Sequence, residues 1–168
     1  MRFLRWRTIA GLAVQLVILA VLLGAFFVRA PQVSGPSMEP NIQSGEYVVI
    51  DTLAYRFGAP KRGDIVAFAH GVDPSELLIK RVIGLPGDRI SIDRGRVFVN
   101  GIHLHEPYVH SLDTRTFQTV TVPRACVFVL GDNRAKSEDS RFFGPVSDAT
   151  LTGEALAGIW PPARIGKL

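Results

Sequence analysis

The chain has 168 residues, 47% of them apolar and 20% charged, with a formal charge of +4 and one cysteine, Cys126. That length holds one domain of ordinary size, and the apolar content excludes a disordered protein. A lone cysteine excludes an intrachain disulfide and any multi-cysteine zinc or iron–sulfur site. Arg2, Arg5 and Arg7 precede every acidic residue, and the rest of the chain carries 16 Lys/Arg against 15 Asp/Glu. A body near +1 gives no footing for nucleic acid as a partner.

The apolar excess is concentrated in one block. From Ile9 to Val28 the chain reads IAGLAVQLVILAVLLGAFFV, with no charge and one amide, Gln15. As a helix it would extend ~30 Å, about the hydrocarbon thickness of a bilayer. Three arginines stand before the block and Arg29 alone stands directly after it. The positive-inside rule therefore predicts a cytoplasmic tail over 1–8, a single transmembrane helix over 9–28 and an extracytoplasmic domain over 29–168. A cleaved signal peptide would share the basic start, but its apolar core is usually only about 7–15 residues long. The small-residue site Val28-Arg29-Ala30 is also followed by Pro31, which lacks a backbone N–H. An anchor in the cell membrane is expected, with the lipid bilayer as a partner.

Beyond residue 30 the pattern changes to short β-branched runs. In order these are Glu46–Ile50, Asp64–Phe68, Leu77–Ile83, Arg89–Asp93, Arg96–Asn100, Thr119–Val122 and Cys126–Leu130. Arg94-Gly95 joins two of them, and Asn100-Gly101 has the composition of a type I′ hairpin turn. A short helix fits near Pro40–Ser44 or Thr52–Phe57, and no longer helical period follows residue 30. The fold class is mainly β, an antiparallel sheet domain preceded by one transmembrane helix.

Candidates for chemistry are few. The four lysines are Lys61, Lys80, Lys136 and Lys167, and only Lys80 sits inside an apolar strand, LLIKRVI. Alternation puts Leu78, Lys80 and Val82 on one face. A lysine on an apolar face is desolvated, which favours its neutral form. Moving its pKa from ~10.4 to ~8.4 costs the charged form about 2.7 kcal/mol. A neutral amine can take a proton from a hydroxyl. The same lysine could instead snorkel to water at a sheet edge. Ser37 lies in Val33-Ser-Gly-Pro-Ser-Met-Glu-Pro40, a rigid Gly/Pro loop able to present a hydroxyl together with its own backbone N–H. By itself a serine in such a loop is as readily a turn residue.

Taken together, these segments resemble the type I signal peptidases, membrane-bound serine/lysine proteases that remove signal peptides. GPSMEP around Ser37 resembles the family's nucleophile box, and LLIKRVIGLPGDRI (Leu77–Ile90) its general-base box. KRGDIVAF (Lys61–Phe68), VNG (Val99–Gly101) and GDNRAKSEDSRFFGPV (Gly131–Val146), followed by Gly158–Trp160, match in the same order. The resemblance implies Ser37 as acyl-enzyme nucleophile, Lys80 as general base and Ser137 as the serine that orients the lysine. It implies the Ser37 backbone N–H as one oxyanion donor, with Gly35 where other members carry a second donor serine. Asp132, Arg134, Asp139 and Arg141 match positions read as an ion-pair scaffold. Val33, Met38 and Ile79 match positions lining shallow pockets, which implies alanine at the first and third positions before the cut. The substrate, a signal-peptide-bearing preprotein, would add as a β-strand between about Arg29–Val33 and Leu77–Lys80. No cofactor is implied, and a monomer is expected.

The remaining polar residues have plainer readings. His103 and His105 are spaced to share one strand face, but no cysteine or carboxylate at metal spacing accompanies them, so no metal site is expected. His70 and His110 read as loop residues and Cys126 as a small core residue. Three rivals stay open on sequence: a specialised peptidase with one substrate, a self-cleaving repressor-type protease, and an inactive anchored domain that binds extended peptides.

Overall fold

The computed structural model describes residues 10–19, 21, 24, 27–71 and 76–168. Of the apolar block, residues 10–19, 21 and 24 are helical and exposed. Among the described residues no helix is long and apolar enough to cross a membrane. The expected tail, residues 1–8, lies outside them, as do residues 9, 20, 22, 23, 25 and 26 of the expected span. Val28, which hydropathy places at the end of the span, instead begins a short strand, β1 (Val28–Arg29), paired with β2 (Tyr47–Asp51).

The described domain is antiparallel β, as its alternating runs predict. After β2 come α1 (Ala54–Phe57), β3 (Ile65–Ala69), β4 (Leu77–Gly84), β5 (Arg89–Asp93), β6 (Arg96–Val99), β7 (Ile102–His103), β8 (Phe117–Thr121) and β9 (Cys126–Leu130). The chain closes with α2 (Ser140–Phe143), β10 (Val146–Ser147), β11 (Leu151–Trp160) and β12 (Gly166–Lys167). One sheet has the order β1-β2-β11-β3-β4-β9-β10, with β12 on β11; the other has the order β7-β6-β5-β8. Of the two helix sites expected, the Thr52–Phe57 segment forms α1, whereas 40–44 is turn. The expected turns form as glycine chemistry demands: Arg94 and Gly95 have φ of 46° and 80°, and Asn100 and Gly101 have 53° and 83°.

Successive residues of β3 divide between two cores on the faces of the larger sheet. Ile65 and Ala67 pack with Met38, Ile42, Val48, Ile50 and Ile79. Val66 and Phe68 pack with Val82, Val127, Val129 and Val146. A third cluster joins Ile83, Phe128 and Leu130 of the larger sheet to Ile90, Ile92, Val97 and Val99 of the smaller one. Cys126 packs, half-buried, against that cluster.

The longest strand, β11, is one that the sequence does not announce. LTGEALAGIW carries two glycines, two alanines and a glutamate, all poor strand formers. Its position between β2 and β3 explains the composition. A Cβ on Gly153 would lie 2.2 Å from the Asp51 carbonyl oxygen, so the neighbouring backbone admits only glycine there.

Candidate active site

Two segments far apart in sequence bring the candidate pair together. Lys80 stands in β4 opposite Val66 of β3, on the strand face that also carries Val82. Val66 and Val82 are fully buried, and Lys80 itself is 3% exposed. Its Nζ lies 2.7 Å from Ser37 Oγ. Burial disfavours the ammonium and lowers the Lys80 pKa to about 8, against the opposing pull of Asp139, Glu138 and Asp132. The strand environment therefore desolvates the lysine, and the snorkelling alternative does not apply.

Ser37 is held by its loop. Met38, 1% exposed, anchors the segment in the core below, and Ile42 N–H closes a turn on the Met38 carbonyl at 2.9 Å. Asn133 N–H donates to the Ser37 carbonyl at 3.0 Å, and Asn41 Nδ2 donates to Asp132 Oδ2 at 2.8 Å. The Ser37 loop is thus tied to the segment after β9. Gly35 offers no side chain, and its N–H is given to Ser44 Oγ at 3.2 Å. That bond engages the one donor that Gly35 could have brought to an oxyanion.

Behind the pair lies an ionic scaffold. Ser137 Oγ donates to Asp139 Oδ2 at 2.7 Å, and Gly131 N–H donates to the same oxygen at 3.0 Å. Arg141 pairs with Asp139 at 2.7 Å and with Asp113 at 2.9 Å. Arg134 pairs with Glu106 at 2.5 Å. Arg81 holds Asp132 through two bonds of 2.7 and 2.8 Å while stacking on Tyr108 at 4.2 Å. All four expected scaffold residues, Asp132, Arg134, Asp139 and Arg141, are therefore ion-paired. Sequence reasoning missed their partners Arg81, Glu106, Asp113 and Asn41; the last three come from other loops and carry no local signal. Arg81, the residue after Lys80, could have been found by alternation: its side chain leaves the opposite face of β4.

A groove of about 400 Å³ runs past Ser37 between residues Pro31–Ser34 and Glu76–Ile79. Val33 and Ile79 line it; Met38 lies beneath in the same core rather than at its surface. The first half of β4 pairs with β3 on one side, whereas its pairing with β9 starts at Arg81. Its other edge faces the groove and can accept an extended peptide. Of the histidines, His103 packs on Phe98 and His70 on Phe143; no cluster of metal-ligating side chains occurs among the described residues.

The profile of the family described as "Signal peptidase, peptidase S26" matches residues 5–160. The chain belongs to the signal peptidase family. It is 37% identical to a protein named probable signal peptidase I-2 of Synechocystis, over 97% of this chain and 77% of that one. It is 41% identical to signal peptidase I of Bacillus caldolyticus, over 77% of this chain and 78% of the relative. A crystal structure of a signal peptidase I from Enterococcus faecalis aligns with TM-score 0.49 at 35% identity, covering 58% of this chain and 97% of the other. The signal peptidase family match spans the Ser37 loop, the Lys80 strand and the scaffold alike.

Proposed function

We propose that this chain is a membrane-anchored type I signal peptidase in which Ser37 and Lys80 form the catalytic dyad. Family membership makes it a serine endopeptidase that removes signal peptides from preproteins. The observation that carries the dyad is the 2.7 Å contact between a buried lysine amine and a serine hydroxyl beside an open strand edge.

In this reading the signal-peptide end pairs with the free edge of β4 and with residues 31–33. Its scissile carbonyl then sits over Ser37. Lys80, neutral above about pH 8, takes the hydroxyl proton as Oγ attacks, and returns it to the leaving amine. The Ser37 N–H faces the developing oxyanion. Water, activated by the same amine, releases the acyl-enzyme. Ser137 orients the amine: its own proton goes to Asp139, which leaves its oxygen free to accept from Lys80. Val33 and Ile79 leave room for small side chains and set the preference for alanine at the first and third positions before the cut.

The uncharged run from Ile9 to Val28 supports the anchor, and the basic tail supports a cytoplasmic N-terminus with the β domain outside. A tethered enzyme meets the emerging signal peptide at high local concentration, so the groove can bind weakly. The chain acts as a monomer.

The test is cleavage of a purified preprotein with an Ala-x-Ala site by wild type, Ser37→Ala and Lys80→Arg, with the product N-terminus read by mass spectrometry. Arginine stays protonated and cannot serve as base. Cleavage after the last alanine by wild type alone is the expected result; a cut by either variant at the wild-type rate overturns the dyad.

A further inference from the structure

A second cavity, of about 540 Å³, is larger than the substrate groove and lies away from it. It opens where the N-terminal apolar run gives way to the β domain, since Phe27 and Arg29 form one wall. Thr52, Tyr55 and Arg56, at the end of β2 and in α1, form another, and Asp148 and Thr152 complete it. Two of these groups are already engaged: Thr52 Oγ1 donates to the Phe27 carbonyl and Tyr55 OH donates to Asp64.

The two arginines are different. Arg81, Arg134 and Arg141 of the active-site scaffold each hold a carboxylate. Among the described residues, the guanidinium groups of Arg29 and Arg56 have no hydrogen-bond or ion-pair partner, although the Arg56 backbone N–H is bonded to the Leu53 carbonyl, and both side chains line this one cavity. The single carboxylate among the lining residues, Asp148, has a buried Oδ1 without a partner, and burial pushes its pKa above the usual carboxylate value. Two guanidinium groups against one carboxylate leave the lining with an excess positive charge, although Asp51, Asp64 and Glu154 act on Tyr55 in its wall, and the two forks are able to bind an anion's oxygens. Next to Arg56 stands Phe57, 89% exposed, an aromatic ring with no core to pack against. An apolar ring beside a cationic cavity suits the boundary between head groups and acyl chains.

We propose that this cavity binds the phosphate of an anionic phospholipid head group, held between Arg29 and Arg56. The proposal rests on the anchored topology above, because that topology puts residues 27–29 at head-group depth. A bound lipid would fix the angle of the β domain to the bilayer and hold the groove toward the emerging substrate.

The test uses the full chain in nanodiscs of phosphatidylcholine mixed with phosphatidylglycerol. Lipid retained after gentle release is counted by native mass spectrometry. Wild type should retain one phosphatidylglycerol, the Arg29→Gln/Arg56→Gln variant at least about tenfold less, and the double lysine variant, which keeps the charge, most of it. Equal retention by wild type and the glutamine variant overturns the proposal, and so does equal loss in the lysine and glutamine variants. Displacement by millimolar inorganic phosphate would assign the site to free phosphate and overturn the lipid as ligand. Preprotein cleavage by wild type is measured in the same discs. Failure of wild type to cut would count against the peptidase reading and leave the lipid count standing on its own.

Discussion

Ser137 Oγ and Asp139 Oδ2 are 2.7 Å apart in the interior of the domain, and this bond sets the direction of the serine's proton. Asp139 is itself held by Arg141 and by the Gly131 N–H, so it cannot turn away. The consequence reaches Lys80, because the Asp139 charge opposes the lowering of the lysine pKa by burial. Replacing Asp139→Asn should have two separable effects. Removing one partner of a buried ion pair should cost about 3–5 kcal/mol of stability, measured by denaturant unfolding. The surviving enzyme's pH–rate profile should move to lower pH, since the charge that favours the ammonium is gone. A purely structural role for Asp139 would leave that profile in place.

Gly131 is where the site segments converge. A Cβ there would meet Ser137 Oγ at 2.2 Å, Ser137 Cβ at 2.5 Å and the Ser37 carbonyl oxygen at 2.5 Å. Two of these belong to groups that cannot swing aside. Gly131→Ala should therefore lose on the order of 1–3 kcal/mol of stability through overpacking. Its kcat should fall about a hundredfold as Ser37 and Ser137 are pushed apart, with KM changing far less. Steady-state kinetics on a preprotein and thermal melts check both parts.

Much of this arrangement was legible in the sequence, and the reasons are physical. Strands with β-branched alternation, such as β5 and β9, lie where the pattern puts them. Lys80 was marked by its apolar neighbours, and its burial follows from them. The strand β11 was illegible because its composition answers to the closeness of Asp51 and not to strand propensity. The scaffold was half legible: the Asp132–Arg141 segment shows its charges, but Glu106 and Asp113 reach it from a loop with no regular pattern. The Lys80–Ser37 contact spans 43 residues, so spacing alone could not have supplied it, and the family resemblance did.

The groove walls make a prediction about substrates. Val33 and Ile79 are nearly buried and packed in one core with Met38, so they cannot retreat to admit a large ring. A preprotein with phenylalanine in place of the alanine before the cut should lose at least about a hundredfold in kcat/KM. Truncating the wall with Ile79→Ala should return part of that loss for a leucine-bearing substrate while costing about 2–5 kcal/mol of stability. Competition between the two preproteins, read by mass spectrometry, measures the ratio directly.

The burial of Lys80 that suits it to the proposed role of base should also cost the fold stability. In the unfolded chain the amine keeps its proton up to about 10.5, whereas the folded protein releases it near 8. Between these values the unfolded state binds more protons, so stability rises with pH across that window. Below about pH 8 the full penalty applies, on the order of 3 kcal/mol at one pKa unit per ~1.4 kcal/mol. Activity and stability should therefore climb together: kcat/KM should rise through pH 8 and level off above it, provided chemistry is rate-limiting. Lys80→Met, which keeps the length and removes the charge, should be inactive yet melt higher than wild type at neutral pH. That advantage should shrink as the pH rises from 8 toward 10.5, where wild type no longer carries the buried ammonium. Melting curves of the two proteins across this range, set beside the wild-type rate profile, test the base and its energetic cost in one series.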